Sequence, residues 1–171
     1  MPETEPTAEL LFSAADATPM STDEATIKPW AQARDELAAA PKAWLSTSRA
    51  DGRPHVMPVL AVWSDGAVHV STRPGSIKGQ NLVRDPRCVV TVGTEVIDLV
   101  VEGKARRLGG RELDPVIAAF DAKYGWRMAV RDGRLYDETL PGAPEYVFFA
   151  ISPTTAFGYG PDGLTATRWR F

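Results

Sequence analysis

The sequence predicts a mainly β domain with flanking helices, its antiparallel sheet closed into a small barrel or stacked as a sandwich. Three observations predict it. Short β-rich segments follow one another through Asp-Gly turns, at Asp51-Gly52 and Asp65-Gly66, where positive φ suits tight hairpins. Six or seven such segments and only two or three helical ones fill the chain. The chain has 171 residues and 44% apolar content, which suits one domain around one core. Spacing alone does not separate barrel from sandwich.

Pro29 suits the start of a first helix, where a missing N–H is harmless. Trp30, Ala33, Leu37 and Ala40 follow at helical spacing, and Pro41 stops it. Strands are expected at Ala43–Thr47, at His55–Trp63 and at Ala67–Thr72. Pro58 interrupts the second of these, which places it on an edge, at a bulge or where a ligand approaches. Ser76 is a good N-cap for a short helix from Ile77 to Arg84, and Asp85-Pro86 ends it. Cys88–Val92 and Asp98–Arg107 read as strands. Glu112–Tyr124 reads as a second, longer helix with Leu113, Val116, Ile117 and Phe120 on one face. Residues 125–144, rich in Gly and Pro, read as a long loop of the kind that often carries function. Tyr146–Ile151, Thr155–Tyr159 and Leu164–Phe171 complete the strands.

Charge divides the chain. Residues 1–27 hold six acids and no base, whereas residues 28–171 hold 16 acids and 19 bases, a net of +3. The first 27 residues show no sustained apolar period and predict a disordered acidic arm ahead of a domain spanning 28–171. Such an arm is either a solvated leader or a segment that folds over a partner subunit or a site. The weak, scattered positive charge of the domain excludes a nucleic-acid binder but suits a small anionic ligand. No run nears the ~20 apolar residues of a spanning helix. The first 27 residues also lack the positive charge that opens a secretory signal. One cysteine, Cys88, excludes internal disulfides and cysteine-rich zinc sites, and two histidines do not make a histidine metal cluster. A reducing cytoplasm is the expected compartment.

The stretch most informative about chemistry runs from Val70 to Leu82. A strand ends in Ser71 and Thr72, and a Gly-containing loop leads to a helix start at Ser76. Arg73 and Lys78 add positive charge. Helix-start N–H groups, hydroxyls and an ammonium together favour an anion such as phosphate. The Gly-Lys-Ser/Thr order of a P-loop is absent. The same spacing also fits an ordinary capped helix with solvated basic residues. No acid–base pair, nucleophile triad or metal cluster stands out. His55 reads as structural or exposed, with contact to a ligand as its functional alternative. Cys88, in an apolar strand, reads as an inert buried thiol. Trp63, Tyr124 and Trp126 are candidates for the wall of a substrate cavity, Trp126 foremost.

Several pieces fall in a characteristic order: Trp44-Leu-Ser-Thr47, Asp51-Gly-Arg-Pro-His-Val-Met-Pro-Val59, Ser71-Thr72, Ser76-x-Lys78-x-x-Asn81-Leu82 and Asp85-Pro-Arg87. Val101-Glu-Gly-Lys-Ala105 and Thr167-Arg-Trp-Arg-Phe171 extend them. This pattern resembles the pyridoxamine-phosphate-oxidase-like split barrels, a superfamily of flavin- and deazaflavin-dependent oxidoreductases. The resemblance implies a six-stranded antiparallel split β-barrel (the FMN-binding split barrel). It implies a homodimer with the cofactor in a groove between subunits. Lys78 falls where the family binds phosphate, and Ser71 and Thr72 would contact the phosphate or ribityl chain. Arg73, Ser76 and Asn81 complete that cradle. Met57, Pro58 and Val59, with Leu60, would line the tricyclic ring. Arg168, Trp169 and Arg170 resemble the segment that approaches the cofactor from the partner subunit.

Departures narrow the resemblance. The vitamin B6 oxidase has an Arg before the phosphate-binding Lys, where this chain has Ile77. Its basic second-strand positions correspond to His55 and Leu60. The pattern is closer to the branch using the deazaflavin coenzyme F-420, with FMN the alternative. The implied function is hydride transfer from reduced coenzyme to an unsaturated small-molecule substrate. The rival is a non-enzymatic protein that handles flavin, deazaflavin or haem. Catalytic residues stay unassigned: the final proton would come from solvent, Tyr124 or Tyr136. A chain without its own catalytic pair fits such chemistry, because the cofactor carries the reaction.

Overall fold

The computed structural model describes residues 4–13, 15 and 21–171. It contains eleven strands and three α-helices among those residues. In chain order they are β1 (Thr7–Leu10), α1 (Trp30–Ala39), β2 (Ala43–Ser48), β3 (Pro54–Val59), β4 (Ala61–Ser64) and β5 (Ala67–Thr72). Then come α2 (Ile77–Arg84), β6 (Arg87–Gly93), β7 (Asp98–Arg107), α3 (Leu113–Tyr124), β8 (Ala129–Arg131), β9 (Arg134–Tyr136), β10 (Glu145–Tyr159) and β11 (Ala166–Arg170). Every strand pair is antiparallel.

The strand order is β1-β11-β10-β7-β6-β2-β3, with β4 and β5 joined through β10, and β8 and β9 also joined to it. The mainly β, antiparallel character with flanking helices is as expected. The strand count is not six, and the path from β1 to β3 has two free ends rather than closing. The additional strands are β1, the pair β8 and β9, and the division of one expected strand into β3 and β4, whereas the long β10 spans two expected strands. Its first part runs between β5 and β7, and its second part between β7 and β11, with the register shifting between Pro153 and Thr155. One strand thus replaces the two expected at Tyr146–Ile151 and Thr155–Tyr159.

The expected strand His55–Trp63 is divided at Leu60. β3 pairs with β2, whereas β4 pairs with β5, so the chain changes partners at that point. Pro58 sits on β3 at the end of the sheet path, the edge position that a missing N–H allows. Backbone groups freed at the break are satisfied from α3. Ala61 N–H donates to the Tyr124 hydroxyl at 3.2 Å, and that hydroxyl donates to Ala61 O at 2.8 Å. Lys123 Nζ also donates to Ala61 O, at 2.9 Å.

Two apolar clusters hold the sheet. The larger includes Leu45, Val90, Val101, Ile151 and Trp169, with α1 laid across it. α1 buries Trp30, Ala33 and Leu37, three positions on one face, and Pro29 is its N-cap rather than its first residue. Trp30 meets Trp169 and Trp63 edge-on, at 5.5 and 5.6 Å between centroids. The second cluster lies under α3 and centres on Phe120 and Phe148, 5.0 Å apart. Glu112, expected as the first residue of this helix, instead ends a 3-10 turn over Gly110–Glu112.

The acidic arm predicted over residues 1–27 differs in part. Thr7–Leu10 forms β1 and pairs with the last strand, Thr7 opposite Arg170 and Leu10 opposite Thr167. A 3-10 turn spans Glu24–Thr26, capped by Asp23. Residues 1–3, 14 and 16–20 of that arm lie outside the described residues. The predicted loop over 125–144 also carries structure, the β8–β9 hairpin. Among the described residues, no helix is long and apolar enough to cross a membrane.

Candidate functional site

The end of β5, the start of α2, the end of β3 and the end of α3 converge on one cavity of about 570 Å³. Thr72 Oγ1 lies 2.7 Å from Ser76 Oγ, and Ser76 Oγ accepts from Gly79 N–H at 3.1 Å. The loop between them is closed by Ser76 N–H donating to Arg73 O at 3.1 Å. Gly79 lets the helix lie close to this loop, since a Cβ there would stand 2.9 Å from Arg73 O. The cap, the loop and the strand end are therefore one rigid corner.

Arg73 and Lys78 both face this cavity. Neither has a carboxylate within ion-pair range among the described residues. Burial pushes the Lys78 ammonium below the ordinary lysine value. A half-buried ammonium without a counter-ion, beside hydroxyls and a capped helix start, fits an anionic group. The corner thus suits an anionic group such as a phosphate. The apolar stretch Pro58, Val59 and Leu60 forms another part of the lining.

Pro58, Val59, Ser71, Thr72, Arg73, Ser76 and Lys78, singled out from sequence, are thus brought onto one cavity. Five other candidates are not on it. Met57 is a partly exposed β3 residue beside Pro58. Asn81 is buried, donating from Nδ2 to Thr47 Oγ1 at 2.9 Å, and so ties α2 to β2. Trp169 is fully buried in the larger core, its indole N–H donating to Lys28 O at 3.0 Å. Arg168 and Arg170 each donate from Nε to Glu9 Oε1 at 2.6 Å.

His55 also lies off the lining, and its Nδ1 is buried without a hydrogen-bond partner among the described residues. Burial first, then the Arg49 and Lys78 charges, keep its imidazole below the usual value. Cys88 is buried, and desolvation pushes its thiol up to about 12. Tyr136 lies off the lining too.

The rest of the lining is Tyr124, Gly125, Trp126, Asp137 and Tyr146. Gly125, at φ +65°, ends α3 in the left-handed conformation and turns the chain toward the cavity. Trp126 and Tyr124 carried a sequence signal, as large aromatics at a helix end and in a Gly/Pro-rich segment. Asp137 and Tyr146 carried none, because only the β8–β9 hairpin brings them there. Asp137 is 3% exposed. The Thr139 hydroxyl above all, then Trp126 Nε1–H and the Thr139 backbone N–H, hold its carboxyl below the usual range against burial.

With this corner and its lining established, likeness to known proteins is informative. Residues 29–159 match the pyridoxamine 5'-phosphate oxidase family over their whole length. The chain belongs to that family. No curated protein matches it in sequence. Among solved structures, a pyridoxamine 5'-phosphate oxidase-related, FMN-binding protein from Nostoc punctiforme shares 16% identity at a TM-score of 0.57. The match covers 83% of this chain and 89% of that one. A structure described as an F420 reductase shares 17% identity at a TM-score of 0.53, over 71% and 94% of the two chains. A heme binding protein from Mycobacterium smegmatis shares 18% identity at a TM-score of 0.64. There the match covers 80% of this chain but only 55% of the other. At these identities the likeness is one of fold, and it supports the oxidase-family architecture over most of the chain.

Proposed function

We propose that this protein is an oxidoreductase that transfers hydride from a reduced deazaflavin coenzyme of the F-420 type to an unsaturated small molecule. The observation that carries this reading is the cavity where Arg73 and Lys78, without counter-ions among the described residues, meet the Thr72–Ser76 corner and the Pro58–Leu60 wall. Lys78 and Arg73 bind the anionic tail, with Ser71 and Ser76 hydroxyls as hydrogen-bonding partners. Pro58, Val59 and Leu60 support the flat ring system, and Tyr124 and Trp126 keep water away. The bound coenzyme supplies the hydride, and the chain supplies proximity and orientation. FMN, whose phosphate suits the same corner, is the second reading, favoured by the fold shared with an FMN-binding protein.

We place the coenzyme beside a second copy of the chain, as a homodimer. The support is the sheet face turned away from the larger core. Trp44, Pro58, Thr91, Val100 and Phe157 lie opposite one another in register across β2, β3, β6, β7 and β10. Val56 on the same face is 49% exposed and Trp44 43%. An open apolar face of this kind suits association. Pro58 belongs both to it and to the cavity lining.

Fluorescence-quenching titration with F-420 and with FMN tests the coenzyme. Micromolar or tighter binding of F-420 is expected, and Lys78→Ala should weaken it by ~1.5–3 kcal/mol. Tighter binding of FMN replaces the first reading by the second, and binding of neither overturns both. Sedimentation of Val56→Asp against the parent chain tests the dimer.

A further inference from the structure

The wall built by residues 124–146 has a chemistry of its own. Trp126 stands edge-on to Tyr146, with centroids 4.9 Å apart and planes at 88°. It also meets Phe120 edge-on at 5.9 Å. An indole on a segment following a helix end has several staggered rotamers open to it. Here one is singled out, because Nε1–H donates to Asp137 Oδ2 at 2.8 Å. The carboxylate is itself immobilised. Oδ1 accepts from the Thr139 N–H at 3.0 Å and the Thr139 hydroxyl at 2.5 Å. The Asp137 N–H donates to Pro144 O at 3.1 Å, which ties the segment after β9 to the start of β10.

We propose that Asp137 is a positioning residue that sets Trp126 as the wall against which a planar, conjugated, uncharged substrate lies. This rests on the coenzyme reading above, which commits Arg73 and Lys78 to the coenzyme's anionic tail. The charged group then left on the lining is the Asp137 carboxylate, which disfavours an anionic substrate. An aromatic wall whose polar edge is already hydrogen-bonded offers a substrate only apolar contact and its ring electrons. It therefore selects a flat π-system over a flexible or strongly hydrated molecule.

Acridine and acridine-9-carboxylate, at a pH above 7, are matched uncharged and anionic planar probes. Their binding is measured by calorimetry on the protein alone and on protein saturated with F-420 or FMN. In the protein alone, Trp126→Ala is expected to weaken acridine binding about tenfold and Asp137→Asn at least threefold. In the loaded protein, acridine is expected to bind at least tenfold more tightly than its carboxylate. The indole N–H resonance of Trp126, assigned by its loss in Trp126→Phe, should shift and exchange faster in Asp137→Asn. If Asp137→Asn does not fold, Trp126→Phe keeps a ring while removing the donor, and a threefold loss of acridine affinity is expected there. Acridine affinity within twofold of the parent in these variants overturns the positioning role. Equal binding of the two probes to loaded protein overturns the substrate class. The measurements on protein alone stand whether or not a coenzyme binds, so their failure is distinguishable from failure of the coenzyme reading.

Discussion

Thr72 and Ser76 face each other hydroxyl to hydroxyl, 2.7 Å apart, and so join the last residue of β5 to the cap of α2. Thr72→Val keeps the shape and removes this link. It should lower unfolding free energy by about 1 kcal/mol. Ser76→Ala also loses the bond from Gly79 N–H, and should cost about 1–2 kcal/mol. Urea titrations check both, and three superimposable curves would show that the link contributes nothing.

Lys78 predicts a pH dependence. Its ammonium is held below the ordinary lysine value by burial, so the folded protein loses that charge at a lower pH than a solvated lysine would. Affinity for FMN should therefore fall as pH rises through this lowered value. The sign for stability is opposite. The unfolded chain holds this proton more tightly, so across the same window the unliganded protein gains stability with rising pH. Lys78→Arg stays charged throughout and should flatten the affinity profile. Titrations from neutral to alkaline pH check it; identical profiles for parent and variant would refute the role.

Tyr124 is expected to matter for stability more than for proton transfer. Its hydroxyl accepts from Ala61 N–H and gives its hydrogen to Ala61 O, at a residue 4% exposed. Tyr124→Phe leaves Ala61 N–H without this partner, while Lys123 still reaches the carbonyl. Loss of about 1–3 kcal/mol is expected, by the cost of an unpaired buried group. A denaturant midpoint unchanged by the substitution would contradict this.

Glu9 should anchor β1. Hydrogen bonds from Arg168 and then Arg170 hold its carboxyl below the usual value. The stabilising contribution is therefore present above the unfolded carboxylate value and is lost as pH falls through the lower folded one. Amide protection factors of Thr7–Leu10, corrected for the intrinsic exchange rate, should fall on acidification ahead of those in the rest of the sheet. Glu9→Gln should give fast exchange already at neutral pH. Slow exchange in that variant would mean that backbone pairing alone holds the strand.

How far these features were legible in the sequence depended on the range of the interaction behind them. Local signals served well. The Asp65-Gly66 turn set the start of β5, and the Ser76 cap placed α2 at Ile77–Arg84, where it is observed. The short spacing from Ser71 to Lys78 was enough to place five groups on one cavity. Features made by distant partners were not legible. Arg168 and Arg170 meet Glu9 across almost the whole chain, and nothing local announces that pairing. The three-residue strands β8 and β9 are too short to show a period, so a Gly/Pro-rich segment read as loop. The change of partners at Leu60 depends on Tyr124, a helix away.

The pairing of β1 with β11, and the central place of β10, also bear on biosynthesis. A nascent chain can complete its early hairpins as it leaves the ribosome, but β5 and β7 wait for residues beyond 145 to join them. Until then their edges are unprotected and prone to pair with other nascent chains. Shortening the chain from its C-terminus should therefore yield aggregates rather than a smaller folded product.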